Sequence, residues 1–161
     1  GINLEDIKAP ECFKIEKALR KVMSIPVMHD DQHGTAIISA AALKNALELV
    51  NKNIDEVRII VNGAGASAIA CSKLYISLGV RKSNLFMFDS KGLIHPNREG
   101  LTGKKPEFVN DNMPAKTSLK EALNGADVFI GLSRANVLSQ DMVKVWLKIV
   151  LFLPWQIQTQ K

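Results

Sequence analysis

Val57-Arg58-Ile59-Ile60-Val61-Asn62-Gly63-Ala64-Gly65-Ala66-Ser67-Ala68-Ile69-Ala70-Cys71 is the stretch that decides how this chain folds. A β-branched apolar run stops at an asparagine, and two glycines follow one residue apart. Small and apolar residues then continue at helical spacing to Leu78, where Gly79 offers a left-handed cap. The order reads as strand, tight turn, helix. The next apolar run, Leu85 to Phe88, ends at Asp89, so the unit is βαβ, and its two strands are parallel because only a crossover joins them.

Working outward, Cys12, Ile15, Leu19 and Val22 follow Pro10 at helical spacing, which predicts an amphipathic helix over residues 10 to 23. A short extended piece over 25 to 28 leads into a polar turn, His29-Asp30-Asp31-Gln32-His33-Gly34. A helix over 35 to 50 follows, apolar on nearly every side and therefore expected to be buried. Beyond Asp89, residues 91 to 117 carry Pro96, Pro106 and Pro114 with little periodicity. They read as an exposed connection holding a short hairpin and no visible function. Ser118 with Glu121 forms a capping box for a short helix, Val128 to Gly131 is another buried strand, and Ser139 caps a last helix to Val145. The expected fold is α/β, a Rossmann-like doubly wound parallel sheet with helices on both faces, incomplete at both ends.

Composition narrows the function. The 161 residues are 47% hydrophobic and 23% charged, ordinary for one folded domain with a sizeable core. The net charge of +5 comes from scattered lysines, and aromatic residues are only 6%, so a nucleic-acid face is not expected. Cys12 and Cys71 lie inside apolar helical patterns without metal or redox spacing and read as core residues of a reducing, cytoplasmic protein. No signal segment and no apolar run approaching the roughly 20 residues of a membrane helix is present.

The turn itself fits the loosened dinucleotide fingerprint G-x-G-x-x-A across Gly63, Gly65 and Ala68. Its glycines let backbone approach a pyrophosphate at a helix N-terminus. Asp89 ends the following strand, where a carboxylate accepts from a ribose 2′-hydroxyl. The competing reading is a turn that merely packs helix on strand. NAD is favoured over NADP because Asp89 repels a 2′-phosphate, a preference that Lys91 and Arg81 weaken. A second constellation is acidic: Glu5 and Asp6 near the start, and Asp30 and Asp31 before Gly34. Clustered carboxylates suit Mg²⁺ or Mn²⁺, although adjacent acids in loops are more often solvated or helix-capping. His29 and His33 read as polar packing.

Two strings carry a family resemblance: Ile2-Asn3-Leu4-Glu5-Asp6-Ile7-Lys8-Ala9-Pro10, and Pro26-Val27-Met28-His29-Asp30-Asp31-Gln32-His33-Gly34-Thr35-Ala36. Together with Asn62-Gly63-Ala64-Gly65-Ala66 and Gly125-Ala126-Asp127-Val128-Phe129-Ile130-Gly131-Leu132-Ser133, they resemble, in order, the signatures of the bacterial malic enzymes over residues 1 to about 145. The resemblance implies that Glu5, Asp6 and Asp31 bind the metal, with Asp30 beside them as a catalytic group. It implies that Asn62, Gly63, Ala64, Gly65, Ala66, Ser67, Asp89 and Ser133 face NAD or NADP. It implies oxidative decarboxylation of malate to pyruvate and CO₂ and, in the intact family member, a homo-oligomer, expected to be a dimer.

The sequence departs from the family at both ends. The family's proton-transferring tyrosine and lysine lie before the Glu5-Asp6 signature and have no counterpart here, and Tyr75, in the cofactor helix, does not match. Residues 1 to 35 therefore read as a metal-site segment joining an absent N-terminal domain, and residues 36 to 145 as the NAD(P)-binding domain. Residues 146 to 161 read as an aberrant tail. Reading the tail's codons one base earlier permits a run containing alanine, leucine, alanine, asparagine and proline, as in the family, so a frameshift near Val145 is expected. With it a sheet strand would be lost, and Leu151, Phe152, Leu153 and Trp155 would lack burial sites. The alternatives to an active enzyme are an inactive NAD-binding fragment and an association module.

Overall fold

The computed structural model describes residues 1–146 and 151–154. Strand β3 (Ile59–Asn62) is buried along its whole length. It lies between β4 (Leu85–Asp89) and β6 (Val128–Gly131), parallel to both. Beyond β4 the two-residue β5 (Gly92–Leu93) pairs antiparallel, which is the expected hairpin. Beyond β6 lies β7 (Leu151–Pro154), giving the order β5-β4-β3-β6-β7. The chain leaves β3 for β4 on one side and returns to β6 on the other, so the doubly wound parallel sheet is present.

Alternation along β3 divides the core. Ile59 and Val61 face a layer made by α2 (Asp30–Leu49) and α3 (Ala66–Ser77), through Leu43, Leu47, Ala68 and Tyr75. Ile60 faces the other way, with Phe86 and Phe129, onto α4 (Leu119–Leu123) and Trp146 at the end of α5 (Gln140–Val145). Helices therefore cover both faces. Ser118 makes the expected capping box at α4. At the lower end of the sheet Asp127 accepts from the Arg58 amide at 2.8 Å and pairs with Lys52, tying β6 to β3.

Separately, β1 (Ile2–Leu4) and β2 (Val27–His29) pair parallel, Leu4 opposite His29, with α1 (Glu11–Val22) between them in sequence. No helix among the described residues is long and apolar enough to cross a membrane.

Three expectations are corrected. The polar turn over 29 to 34 is the first turn of α2, where Asp30 and Asp31 complement the helix dipole, so the helix runs through the boundary drawn at residue 35. That helix is not buried all round. Its small residues Ala36, Ser39 and Ala40 pack inward, while Ile37 and Ile38 are each 55% exposed. The third correction concerns the tail. Leu151–Pro154 continues the sheet in register, Val128 opposite Leu151 and Gly131 opposite Pro154. Strand pairing uses backbone groups, so an apolar segment can add a strand whatever the order of its side chains. Trp146 is buried, its Nε1 donating to the Ala126 carbonyl at 2.9 Å and its ring meeting Phe129 edge-on. The expectation for the burial of Leu151, Phe152, Leu153 and Trp155 lies outside what is described of these residues.

Candidate dinucleotide site and its acidic neighbour

The C-terminal ends of β3 and β6 form the switch point of the sheet, the place where open α/β sheets bind ligands. The two strand ends are clipped together. Asn62 Nδ2 lies 2.6 Å from Ser133 Oγ, and the Leu132 amide donates to the Asn62 carbonyl at 2.8 Å. Gly63 follows at φ +140°, and a Cβ there would lie 2.6 Å from the Leu132 carbonyl oxygen, so only glycine fits against β6. Gly65 is the N-cap of α3. A Cβ on it would meet nothing within 4 Å, and no side chain caps the helix. The N-terminus of α3 thus has open space at Gly65 and no side-chain cap, with the helix dipole behind it, as an anion seat requires. Ala64 and Ala66 are half-buried beside it.

Ser67 joins the turn to α2. Its hydroxyl donates to the Asp31 carbonyl at 2.7 Å, fastening the start of α3 to the first turn of α2. This bond brings the acidic segment to the glycine turn.

Asp89 is held by basic partners. Its Oδ1 accepts from the Lys91 amide and Arg98 Nη1, both at 2.9 Å. Its Oδ2 accepts from Arg98 Nη2 at 3.0 Å and Lys105 Nζ at 2.8 Å. A carboxylate has about four acceptor positions, and these contacts fill them, leaving none for a ribose hydroxyl. Burial alone would raise its pKa, but Arg98, Lys105 and the Lys91 amide outweigh it and hold the carboxyl well below the usual range. Arg81, expected nearby, is instead paired with Asp55. Arg98 and Lys105 come from the connection read as functionless. They lie in an aperiodic segment whose linear spacing gives no sign that both converge on Asp89.

In the acidic segment, the register of β1 on β2 brings Asp6 to Asp31, and the Asp6 amide donates to Asp31 Oδ2 at 3.1 Å. His29, fully buried, places Nε2 3.6 Å from the same oxygen. Glu5 turns to Asn3, whose Nδ2 donates to Oε1 at 2.9 Å. The Asp30 carboxyl lies over Gly34, where a Cβ would stand 2.2 Å from Oδ1, so Gly34 gives that side chain its place. Asp6 and Asp31 are together, then. Among the described residues, however, no group of three or more His, Cys, Asp and Glu is placed to hold a metal ion.

The sequence profile described as the malic enzyme NAD-binding domain matches residues 32–150. An NADP-dependent malic enzyme of Salmonella typhimurium is 55% identical over 145 residues, covering 89% of this chain and 19% of that protein. An NAD-dependent malic enzyme of Rhizobium meliloti is 50% identical over 144 residues, with 89% and 18% covered. The chain thus spans about a fifth of the length of these relatives. Among solved structures, an NAD-dependent malic enzyme from Thermotoga maritima superposes with a TM-score of 0.85 at 41% identity, covering 94% of this chain and 41% of that one. The Entamoeba histolytica malic enzyme gives 0.84 at 40% identity, with 94% and 33% covered. The βαβ unit, its glycine turn and these similarities agree, and the chain belongs to the malic enzyme family, whose NAD-binding domain it contains.

Proposed function

We propose that this chain is the dinucleotide-holding part of an enzyme that oxidatively decarboxylates malate to pyruvate and CO₂. The observation that carries the reading is the pair of glycines at the switch point, Gly63 pressed on Leu132 and Gly65 open to solvent. When bound, NAD(P) supplies the hydride acceptor. The chain's own residues do the holding. The amides at the start of α3 receive the pyrophosphate, Asn62 and Ser133 keep the β3 and β6 ends together beneath it, and Ser67 fixes that helix against α2.

For the choice of cofactor we read NADP over NAD, the reverse of the sequence expectation. Asp89 is neutralised by Arg98 and Lys105, with Lys91 adjacent, so the local charge is positive and favours a 2′-phosphate. Titrating the chain with both dinucleotides tests this. Tighter binding of NADP is expected, and a preference for NAD would return Asp89 to its sequence-based role.

The divalent ion expected at Glu5, Asp6 and Asp31 does not fit the arrangement as it stands, because among the described residues no group of three or more His, Cys, Asp and Glu is placed to hold one. No step is derived through it. A second reading, dinucleotide binding without turnover by this chain alone, is supported by Tyr75, the one tyrosine, which is completely buried and cannot reach a substrate. Mixing the chain with malate, Mn²⁺ and NADP and following absorbance of the reduced cofactor separates the two readings, and sustained turnover would remove the second.

A further inference from the structure

The outer side of α1 carries an unused feature. Lys14, Lys17 and Lys21 recur at helical spacing on one face, with Arg20 beside them, and Lys104 arrives from the connection after β5 to sit 4.9 Å over the Phe13 ring. Together they line a cleft of about 620 Å³, within the usual range for small-molecule sites. Among the described residues, Lys14, Lys17 and Lys21 make no ion pair. The cleft is more than a solvated lysine face, because its inner wall is buried and polar. Glu16 is 7% exposed and Gln32 4%, with Gln32 Nε2 at 3.4 Å from Glu16 Oε2. His33 Nε2 lies 2.9 Å from Glu16 Oε1, off the line of a hydrogen bond, and Arg20 Nη1 lies 3.9 Å from the same oxygen, so Glu16 is held by its neighbours at the wall. Five cations face a single carboxylate that is already engaged at the wall.

From this geometry we propose that the cleft between α1, the first turn of α2 and Lys104 binds a small polyanion bearing phosphate or carboxylate groups, at a site separate from the glycine turn. Gln32 and His33 follow Asp31 directly on α2, so the ligand reports on the same helical turn that Ser67 fastens to α3. Like charges confined around a concave surface favour a multiply charged anion over a monoanion.

The test is calorimetric titration of the 161-residue chain with inorganic pyrophosphate and, in a second arm, with citrate, both in excess NADP so that the turn is occupied. Binding of either is expected, and the arm that binds tighter identifies phosphate or carboxylate chemistry. Lys14→Ala/Lys17→Ala/Lys21→Ala should weaken it by about tenfold or more, Arg at the same three positions should restore it, and a charge-matched Lys44→Ala/Lys120→Ala/Lys144→Ala control should stay within about twofold. No binding in either arm, an equal loss in the control, or tighter capture of an acidic peptide than of both anions would overturn the proposal.

Discussion

Replacing each glycine of the fingerprint in turn separates folding from binding. Gly63→Ala puts a Cβ 2.6 Å from the Leu132 carbonyl oxygen and 2.8 Å from its carbon, both backbone atoms, at a φ of +140° that L side chains rarely adopt. The strained backbone costs about 1–2 kcal/mol, and relieving the overlap requires parting the clipped ends of β3 and β6 at a further cost of about 2–3 kcal/mol. A total of about 3–5 kcal/mol corresponds to roughly 6–20 °C in Tm for a chain of this size. Gly65→Ala is the counterpart. Its φ is −83° and its added methyl meets nothing, so stability should change by less than about 1 kcal/mol. That methyl would stand in the space assigned to the pyrophosphate, and NADP affinity should fall about tenfold or more. Thermal unfolding and dinucleotide titration of both variants decide the matter. A stable Gly63→Ala protein, or a Gly65→Ala protein that binds as wild type, would refute the assignment of these two roles.

Other outcomes follow from the same contacts. Asp89 has a folded pKa held below its unfolded value near 3.9, so its stabilisation is present above about pH 4 and is lost as pH falls toward the folded value. Asp89→Asn should therefore flatten the acid limb of the stability curve, and an unchanged limb would contradict the clamp. Arg98→Ala should weaken NADP more than NAD, read by parallel titrations; an equal effect on both would remove the 2′-phosphate argument. Burial pushes the Cys71 and Cys12 thiols up, so neither should react with a thiol reagent until the chain unfolds, and one rapid equivalent in the native state would show an opening not seen here.

Much of the fold was legible because it rests on local patterns. The β-branched run before Gly63, the helix closed by Gly79 at φ +118° and the capping box at Ser118 each announce themselves within a few residues. The start of α2 was missed because Asp30, Asp31 and Gly34 look like a turn. What holds them helical is the dipole and the packing of Ala36, Ala40 and Leu43 on α3. The exposed Ile37 and Ile38 show the limit of reading burial from hydropathy, since periodicity does not say how many layers cover a helix. At the site, the glycine turn was visible and the fate of Asp89 was not. Arg98 and Lys105 reach it only after the connection folds back, a tertiary event without a linear signature. Among the acids at 5, 6 and 31, the approach of Asp6 to Asp31 depends on the β1–β2 register, which no linear spacing announces.

The most direct measurement is an amide-resolved NMR titration of the chain with NADP. If the turn after β3 seats the pyrophosphate, the largest shifts fall on Gly63, Gly65, Ala66 and Ser67, with smaller ones at Ser133 and Asp89. Shifts gathered on α1, with the amides of the turn unmoved, would contradict the account.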